Sequence, residues 1–347
     1  MNILSNKWWP RFFFPLSRIY AAIILLRNKL YDWNIFRTSK IQNCTVISVG
    51  NISVGGTGKT PAVEFLAKYL ISRAKKTAIL SRGYRRESSG TLLISDGQKI
   101  LVGPQRSGDE PYLLAKNLPI VPVVVENDRY RGGIFIKQKF NPDYLILDDA
   151  YQHRRIFRDI DIVLIDSMIG LSNNHTLPGG VLREPLKGLN RADMIWLTRV
   201  NQASKVDSLI SSIRKYTGVP IIKTMHEPQF LYSLSSSKQI SLELLKNREI
   251  FIFSGIGNPG AFRDTVIRLQ ANVRGELLFS DHHKYRKSDF QKIYTNAKLS
   301  KAEWIITTEK DAIRIQELPE MNTPIYYLKI ELKIIEGQKH LAKILGM

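Results

Sequence analysis

Cysteine is nearly missing from this sequence, because Cys44 is the single one among 347 residues. One thiol cannot form an intramolecular disulfide framework, and it excludes a zinc site that is built on several thiolates. Acidic residues are scarce as well, since 31 Asp and Glu stand against 51 Lys and Arg, which gives a formal net charge of +20. This excess predicts attraction to polyanions such as nucleic acid, anionic lipid headgroups or phosphorylated ligands, and charge alone does not choose among them.

The N-terminal segment lacks a long apolar run. Residues 19–26 are apolar, but these eight residues fall far short of the roughly 20 that a membrane-spanning helix needs. No small-residue cleavage site follows them, which argues against a secretory signal peptide.

The same segment is typical of a helix that lies on a membrane surface. At about 100° per residue, an apolar stripe runs beside a basic flank. The stripe holds Phe12, Leu16, Ile19, Tyr20, Ile23 and Leu30, and the flank holds Arg11, Arg18 and Lys29. Because Trp8 and Trp9 precede this pattern, we predict a membrane-interface helix within residues 1–37. A helix packed on the core of its own domain is the alternative.

The rest of the chain predicts an α/β fold. Its 44% hydrophobic and 24% charged residues are typical of a globular protein, and its length suggests two domains. Short β-rich runs, such as residues 45–49 and 144–147, alternate with amphipathic stretches of helix length. This alternation predicts a parallel sheet with helices on both faces. It loosens after residue 223 and then resumes, so we predict a larger domain at 38–225 and a smaller α/β domain at 226–347.

A Gly-rich segment, GNISVGGTGKT at residues 50–60, lies between a predicted strand and a predicted helix. This context predicts a P-loop, in which backbone N–H groups converge on phosphate oxygens, and hence a P-loop NTPase-like sheet. Lys59 would reach the β- and γ-phosphates and the Thr60 hydroxyl would ligate Mg²⁺. The general pattern starts with glycine where this chain has Ser53. The predicted nucleotide-binding residues are Ser53, Val54, Gly55, Gly56, Thr57, Gly58, Lys59 and Thr60.

Charged residues follow several predicted strands, at the edge where open α/β folds bind ligands. Asp148 and Asp149 end one strand, and one of them can hold Mg²⁺ as a Walker-B acid does. Asp109 and Glu110 open a predicted helix, for which simple capping is the alternative. Arginines at this edge suggest a second anionic ligand, with a solvated charged face as the alternative for each. They are Arg82, Arg85, Arg86, Arg154, Arg155 and Arg183.

These motifs together resemble the tetraacyldisaccharide 4'-kinase family of lipid A biosynthesis. The resemblance rests on the P-loop that begins in serine and on SRGY at 81–84, GDEP at 108–111, DDAYQH at 148–153, LREP at 182–185, DH at 281–282 and TTEKD at 307–311. It implies an ATP- and Mg²⁺-dependent lipid kinase at the cytoplasmic face of a Gram-negative inner membrane. The implied substrate is a tetraacylated glucosamine disaccharide 1-phosphate, which is phosphorylated at its 4'-hydroxyl to give lipid IVA. An anionic membrane surface is the other implied partner, with no specific nucleic acid and no obligate protein partner.

The resemblance also implies roles for residues. Asp109 and His282 look like a catalytic pair that accepts the proton of the sugar hydroxyl, with Lys59 on the phosphates. The two residues are 173 positions apart, so the smaller domain would close over the larger one. The implied metal-site residues are Thr60, Asp149, Gln152 and Glu110, and the implied substrate-binding residues are Arg82, Tyr84, Arg86, His153, Arg183 and Glu184. His283 adjoins His282 and is an alternative catalytic partner.

Two other functions are compatible with single motifs. Gly255, Gly257 and Gly260 form a G-x-G-x-x-G pattern after a predicted strand, with Glu276 downstream, as in dinucleotide-binding oxidoreductases. A membrane-attached P-loop NTPase that acts as a switch with a protein partner is the second alternative. Against a guanine-specific switch, residues 308–311 do not have the [NT]-K-x-D spacing.

Overall fold

The computed structural model describes residues 13–236, 238–315 and 323–347. The strands in these residues are β1 (Thr45–Asn51), β2 (Thr77–Ser81), β3 (Leu92–Asp96), β4 (Pro122–Val125), β5 (Tyr144–Asp148), β6 (Ile160–Asp166), β7 (Met194–Thr198), β8 (Ile221–Ser233), β9 (Gln239–Ile240), β10 (Glu249–Ser254), β11 (Asn272–Leu278), β12 (Trp304–Thr308) and β13 (Ile325–Glu336). The α-helices are α1 (Phe13–Asp32), α2 (Lys59–Ile71), α3 (Pro104–Ser107), α4 (Asp109–Asn117), α5 (Arg129–Phe140), α6 (Val206–Arg214), α7 (Pro259–Arg268), α8 (Lys287–Leu299), α9 (Glu309–Arg314) and α10 (Gln338–Ile344). The predicted α/β class is confirmed.

One sheet contains all of these strands, in the order β11-β10-β12-β13-β8-β7-β6-β1-β5-β2-β4-β3, with β9 paired to β8. Helices cover both faces because side chains alternate along each strand. Ile47 and Val49 of β1 pack in the core that contains α2, whereas Val46 packs in the core that contains Ile136 of α5. The sheet is mixed rather than purely parallel, since β3 pairs antiparallel with β4 and β8 pairs antiparallel with β13.

The long antiparallel pair β8 and β13 runs between the two predicted domains. The predicted boundary at residues 225 and 226 falls inside β8. At the other end of the chain, Leu341 of α10 and the following Leu345 are buried in the same core as Leu66 of α2. Both the sheet and this core therefore continue from one predicted unit into the other, and the domain division stays a prediction.

Helix α1 docks through small and polar groups and leaves apolar side chains in solvent. The buried Ser17 accepts a hydrogen bond from the Gly179 N–H at 2.7 Å, and the Tyr20 hydroxyl donates to the Arg183 carbonyl at 2.9 Å. The exposed apolar residues of the helix include Leu16 (51%), Ile19 (57%), Ile23 (59%) and Leu26 (56%). These side chains do not pack on the core of a domain. Trp8, Trp9, Arg11 and Phe12 lie outside the described residues.

Among residues 13–236, 238–315 and 323–347, no helix combines the length and the apolar character that a bilayer crossing requires.

Candidate functional site

The Gly-rich segment connects β1 to α2. Lys59 is the first residue of α2, and Gly58 before it has φ of 86°, a left-handed conformation that favours glycine. Asn51 holds the loop from inside, because its Nδ2 donates to the Ser53 carbonyl at 2.6 Å and to Thr57 Oγ1 at 3.0 Å. The loop therefore has the shape that directs backbone N–H groups at the start of α2 toward a phosphate.

Residues at the end of β7 support the outer side of this loop. Thr198 Oγ1 donates to the Thr57 carbonyl at 3.0 Å, and Arg199 Nη2 donates to the Gly56 carbonyl at 3.2 Å. Arg199 is buried and forms an ion pair with Asp166. The loop backbone is thus bonded to residues at the end of β7, two strands away from β1, which limits the conformations that the loop can adopt.

His226 of β8 packs beneath the same loop. A Cβ atom at Gly58 would lie 2.7 Å from His226 Nε2, so the close approach also requires glycine there. This Nε2 is buried and has no hydrogen-bond partner among the described residues. Burial, with a further contribution from Arg199, lowers the pKa of His226 to about 4. The ring is therefore neutral at pH 7.

The two aspartates at the end of β5 have different surroundings. Asp148 is buried and accepts a hydrogen bond from Ser81 Oγ at 2.8 Å, and burial raises its pKa to about 6. Asp149 has φ of 50° and forms ion pairs with Lys59 at 3.6 Å and with Arg183 at 2.8 Å. Burial alone would raise the pKa of Asp149, but these two cations lower it below its usual value. Asp149 is therefore the ionised carboxylate beside the P-loop lysine.

The oxygen atoms around Lys59 fit a magnesium ion of the P-loop type. Asp148 Oδ1 is buried and has no hydrogen-bond partner in the described part of the chain. Gln152 uses its amide nitrogen for the Asn51 carbonyl at 2.9 Å and for Glu184 Oε1 at 2.8 Å, which leaves its carbonyl oxygen as a possible ligand. Mg²⁺ in such sites takes one or two protein oxygens together with phosphate oxygens and water. The described residues contain no group of three His, Cys, Asp or Glu that could hold a metal alone.

Asp109, the first residue of α4, is bonded to two residues that come much later in the chain. Its Oδ2 lies 3.0 Å from His282 Nδ1 and 2.6 Å from Arg314 Nε. Burial alone would raise the pKa of Asp109, but the hydrogen bond to His282 and the Arg314 guanidinium lower it. Because Asp109 occupies Nδ1, the ring atom that His282 offers to a substrate is Nε2. The Tyr84 ring packs against this imidazole, with centroids 5.5 Å apart.

His283 has a different partner. Its Nε2 lies 2.9 Å from Asp289 Oδ2, near the start of α8. The structure therefore brings His282, and not His283, to Asp109.

Glu110, next to Asp109 in α4, forms an ion pair with Lys310 of α9. Lys310 is the main cause of a lowered pKa of Glu110, and Lys59 contributes in the same direction despite an opposing effect of burial. Glu110 is thus close to the P-loop lysine as well as to Lys310.

Three of the predicted substrate-binding residues line the same region. Arg183 pairs with Asp149 and Tyr84 contacts His282. His153 follows at the end of the DDAYQH segment, where burial and then the Arg129 charge lower its pKa to about 4. A neutral His153 can both donate and accept a hydrogen bond, as a sugar hydroxyl requires.

The other three predicted substrate-binding residues differ in accessibility. Arg86 Nη2 donates to the Gly90 carbonyl at 2.6 Å and Nη1 to the Val125 carbonyl of β4 at 3.4 Å, so its guanidinium is bonded within the protein. Glu184 is fully buried, with Arg191 Nη2 and the Gln152 amide both at 2.8 Å. In this arrangement Glu184 positions Gln152 rather than contacting a ligand. Arg82 is close enough to His153 to lower its pKa further.

The Gly-rich turn after β10 positions the histidine. The Gly255 N–H donates to Asp311 Oδ1 at 3.0 Å, while the Gly255 carbonyl accepts from the His282 N–H at 3.2 Å and from Arg314 Nη1 at 2.7 Å. Glu276, which a dinucleotide ribose would need, is paired with Arg263 at 3.1 Å. The Gly255 backbone groups and the Glu276 carboxylate are therefore bonded within the protein, which disfavours the oxidoreductase alternative.

Sequence reasoning missed Lys310 and Arg314 as residues of this region, and it also missed Arg129, Arg199 and His226. The TTEKD segment at 307–311 contained Lys310, but a pattern gives no partner for an isolated lysine. Arg314 follows it by one helical turn, a spacing that places both side chains on one face of α9.

Three comparisons relate the chain to known proteins. The family model described as tetraacyldisaccharide-1-P 4'-kinase (LpxK) matches residues 9–346. A protein named tetraacyldisaccharide 4'-kinase from Syntrophus aciditrophicus is 40% identical over 328 residues, covering 92% of this chain and 87% of that protein. One of the same name from Aquifex aeolicus is 38% identical, covering 95% and 96%. The crystal structure of apo-form LpxK from Aquifex aeolicus in complex with ATP is similar with a TM-score of 0.77 and 36% identity, over 96% of this chain and 97% of that one.

Proposed function

This chain belongs to the tetraacyldisaccharide-1-P 4'-kinase family, and from that premise we propose that it is an ATP-dependent lipid kinase. It transfers the γ-phosphate of ATP to the 4'-hydroxyl of a tetraacylated glucosamine disaccharide 1-phosphate, which gives lipid IVA. The observation that carries this function is the contact of 3.0 Å between Asp109 and His282 beside the P-loop. An imidazole oriented by a carboxylate is suited to accept a hydroxyl proton, and a switch NTPase has no need of one.

His282 acts as the base in this proposal. Asp109 fixes the ring through Nδ1 and remains charged beside Arg314, so it stabilises the imidazolium that forms when Nε2 takes the 4'-hydroxyl proton. Tyr84 packs on the ring and restricts its rotation. The hydroxyl oxygen then attacks the γ-phosphorus in line with the leaving ADP oxygen.

Lys59 and the P-loop backbone hold the β- and γ-phosphates. Mg²⁺, when it is bound with ATP, neutralises charge on the phosphate oxygens. Thr60, Asp149, Gln152 and Glu110 are the residues that would hold it, directly or through water, and Asp148 Oδ1 is a further unpartnered oxygen beside them. Arg183 lies 2.8 Å from Asp149 and adds a cation for the phosphate of the lipid or of ATP.

The exposed apolar side chains of α1 support attachment to the membrane that carries the substrate. Leu16, Ile19 and Ile23 have no core to pack on, and the net charge of +20 favours an anionic surface. We infer that α1 lies in the interface at the cytoplasmic face of the inner membrane, with the active site beside it. Arg183 links the two, since its carbonyl accepts from Tyr20 of α1.

The experiment that tests this function is transfer of labelled phosphate from γ-labelled ATP to the tetraacyl disaccharide 1-phosphate in detergent micelles. The wild-type chain should yield a labelled bis-phosphorylated lipid. Asp109→Ala and His282→Ala should each lower kcat by about 10²–10⁴-fold, the range of general base catalysis. His283→Ala is the matched control, because His283 bonds Asp289 instead.

Three outcomes separate the parts of this proposal. Activity lost in both variants and kept in the control supports the kinase and its base. Full activity in His282→Ala would support the kinase activity but contradict the role of His282 as the base. No lipid product from the wild-type chain despite ATP binding would contradict the kinase itself.

A further inference from the structure

Two cations on one face of α9 meet two consecutive acids at the start of α4. Arg314 pairs with Asp109, and Lys310, one turn earlier, pairs with Glu110. The partners are 205 and 200 residues apart in sequence. Both pairs therefore form only when the segment around α9 lies over the P-loop side of the molecule.

The two cations differ in how fully they are bonded. Arg314 is 3% exposed and also donates to the Gly255 carbonyl at 2.7 Å and to Asp311 Oδ1 at 3.1 Å. Lys310 is 32% exposed, and Glu110 is its one ion-pair partner in the described part of the chain. An ammonium group has three donors. Lys310 therefore retains donors for a ligand, whereas Arg314 is bound into the framework.

Lys310 lies at the phosphate end of the site. Its partner Glu110 is also within electrostatic range of Lys59 and Asp149, which are themselves 3.6 Å apart. Two ion pairs, Lys310 with Glu110 and Lys59 with Asp149, therefore neighbour each other at the start of α2. A phosphoryl group that Lys59 holds there would be close to the Lys310 ammonium.

We propose that Lys310 is a catalytic residue that contacts the γ-phosphate oxygens when α9 is closed over bound ATP. The ion pair with Glu110 positions the ammonium beside the phosphate site before ATP binds. In the transfer step a bond forms between the 4'-oxygen and the γ-phosphorus, the bond from that phosphorus to the β,γ-bridging oxygen breaks, and the hydroxyl proton passes to His282. Lys310 binds the non-bridging oxygens throughout and neither gains nor loses a proton. This assignment rests on the proposed kinase function for its step, but its binding test does not.

The binding test compares ATP with ADP on the full chain in detergent micelles, without lipid and with Mg²⁺ present. Affinities are measured by calorimetry for the wild type, Lys310→Ala and Lys310→Arg. We expect Lys310→Ala to weaken ATP binding about tenfold while ADP binding changes less than about twofold, because only ATP carries the phosphate that Lys310 contacts. Lys310→Arg keeps the charge and should recover part of the difference.

Lys329→Ala is the matched control. Lys329 also bridges distant segments, with Glu309 of α9 at 2.9 Å and Glu64 of α2 at 3.4 Å, and its side chain is 11% exposed. Replacing Lys329 disturbs the docking of α9 but leaves Lys59, Asp149, Glu110 and Lys310 unchanged. It should change ATP and ADP affinity by the same factor.

In the activity assay, Lys310→Ala should lower kcat by about 10²–10³-fold with little change in the KM for lipid. The assignment would be overturned if Lys310→Ala weakened ATP binding and ADP binding equally, or weakened neither. It would also be overturned if Lys329→Ala weakened ATP binding more than ADP binding, as Lys310→Ala is expected to do. If the wild type transfers no phosphate to the lipid but Lys310→Ala still weakens ATP binding more than ADP binding, the proposed function fails and the γ-phosphate contact is supported.

Discussion

At the scale of single residues, Asp109 shows how one carboxylate serves two purposes. Its Oδ2 contacts both the His282 imidazole and the Arg314 guanidinium. The arginine stabilises the negative charge, and the charge fixes the imidazole. Asp149 follows the same principle, since Lys59 and Arg183 keep it ionised although it lies within the protein. In both places a cation offsets the cost of burying a carboxylate.

Lys59→Ala tests the P-loop at this scale. The substitution removes the ammonium group that binds the β- and γ-phosphates, so we expect kcat for lipid phosphorylation to fall by about 10³-fold or more. Phosphate transfer in micelles measures the effect. Lys68→Ala is the control, because Lys68 lies on the same helix but pairs with Glu64 and Glu331. Near-normal turnover of Lys59→Ala would refute the P-loop assignment.

His226 predicts a dependence of stability on pH. Its pKa is about 4 in the folded protein and about 6.5 when unfolded, so unfolding takes up a proton below pH 6.5. The stabilisation is fully present above pH 6.5 and is lost as the pH falls toward 4. At pH 5 the loss reaches up to about 2 kcal/mol.

Urea unfolding at pH 7 and pH 5 checks this effect. His226→Gln should show a smaller decrease in the free energy of unfolding between these two values than the wild type. Part of the decrease remains in the variant, because the pKa of His153 is also lowered to about 4. An identical decrease in both proteins would mean that His226 is not responsible.

At the scale of elements, α1 docks on the protein through one set of side chains and exposes another. Ser17 and Tyr20 attach the helix to the protein, whereas its larger apolar side chains face solvent. A helix that buried its largest apolar groups would show the reverse distribution. The arrangement is therefore consistent with an apolar face that a lipid surface covers.

Ile19→Glu combined with Ile23→Glu tests this element. Both positions are exposed, so folding and ATP affinity should be unchanged, while binding to vesicles of anionic lipid should weaken by about 10-fold or more because two apolar anchors are replaced by charges. Co-sedimentation with vesicles measures the difference. Leu299→Glu, at a position 76% exposed on α8, is the control and should bind normally. Unchanged binding of the double variant would reject α1 as the membrane contact.

At the scale of the whole molecule, the sheet and the core connect the two predicted domains. Leu341 is fully buried in the same core as Trp196 of β7, although the two belong to different predicted domains. Trp304 packs on a separate core near β10 and β12. The strands β8 and β13 pair along nearly their whole length between these regions, with register shifts at Lys329/Ile330 and at Ile334/Glu336. We therefore expect the two parts to lose structure cooperatively.

Leu341→Ala tests this cooperativity. Removing a fully buried leucine should lower the free energy of unfolding by about 2–5 kcal/mol. Urea unfolding is followed by fluorescence in variants that keep either Trp196 or Trp304 as the single tryptophan. Leu341→Ala should shift the midpoint of urea unfolding by the same amount whether Trp196 or Trp304 reports it. A shift confined to Trp196 would show that the smaller domain unfolds independently.

Local sequence determined the elements that depend on local physics. The alternation of apolar and polar residues specified the strands and helices, and residues 50–60 specified the P-loop, because a strand, a glycine turn and a helix follow each other without a gap. The family resemblance then predicted which residues carry the chemistry. These inferences needed neighbours only a few positions apart.

Tertiary structure alone decided which distant side chains meet. Asp109, His282 and Arg314 converge across about 200 residues, and no local pattern encodes that Lys310 reaches Glu110 or that Glu184 is buried behind Gln152. The antiparallel pairing of β8 with β13 could not be predicted from local patterns either, since strand direction depends on the path of the whole chain. Periodicity reports which face of an element is buried, whereas the partner on that face is chosen by the packing of the complete sheet.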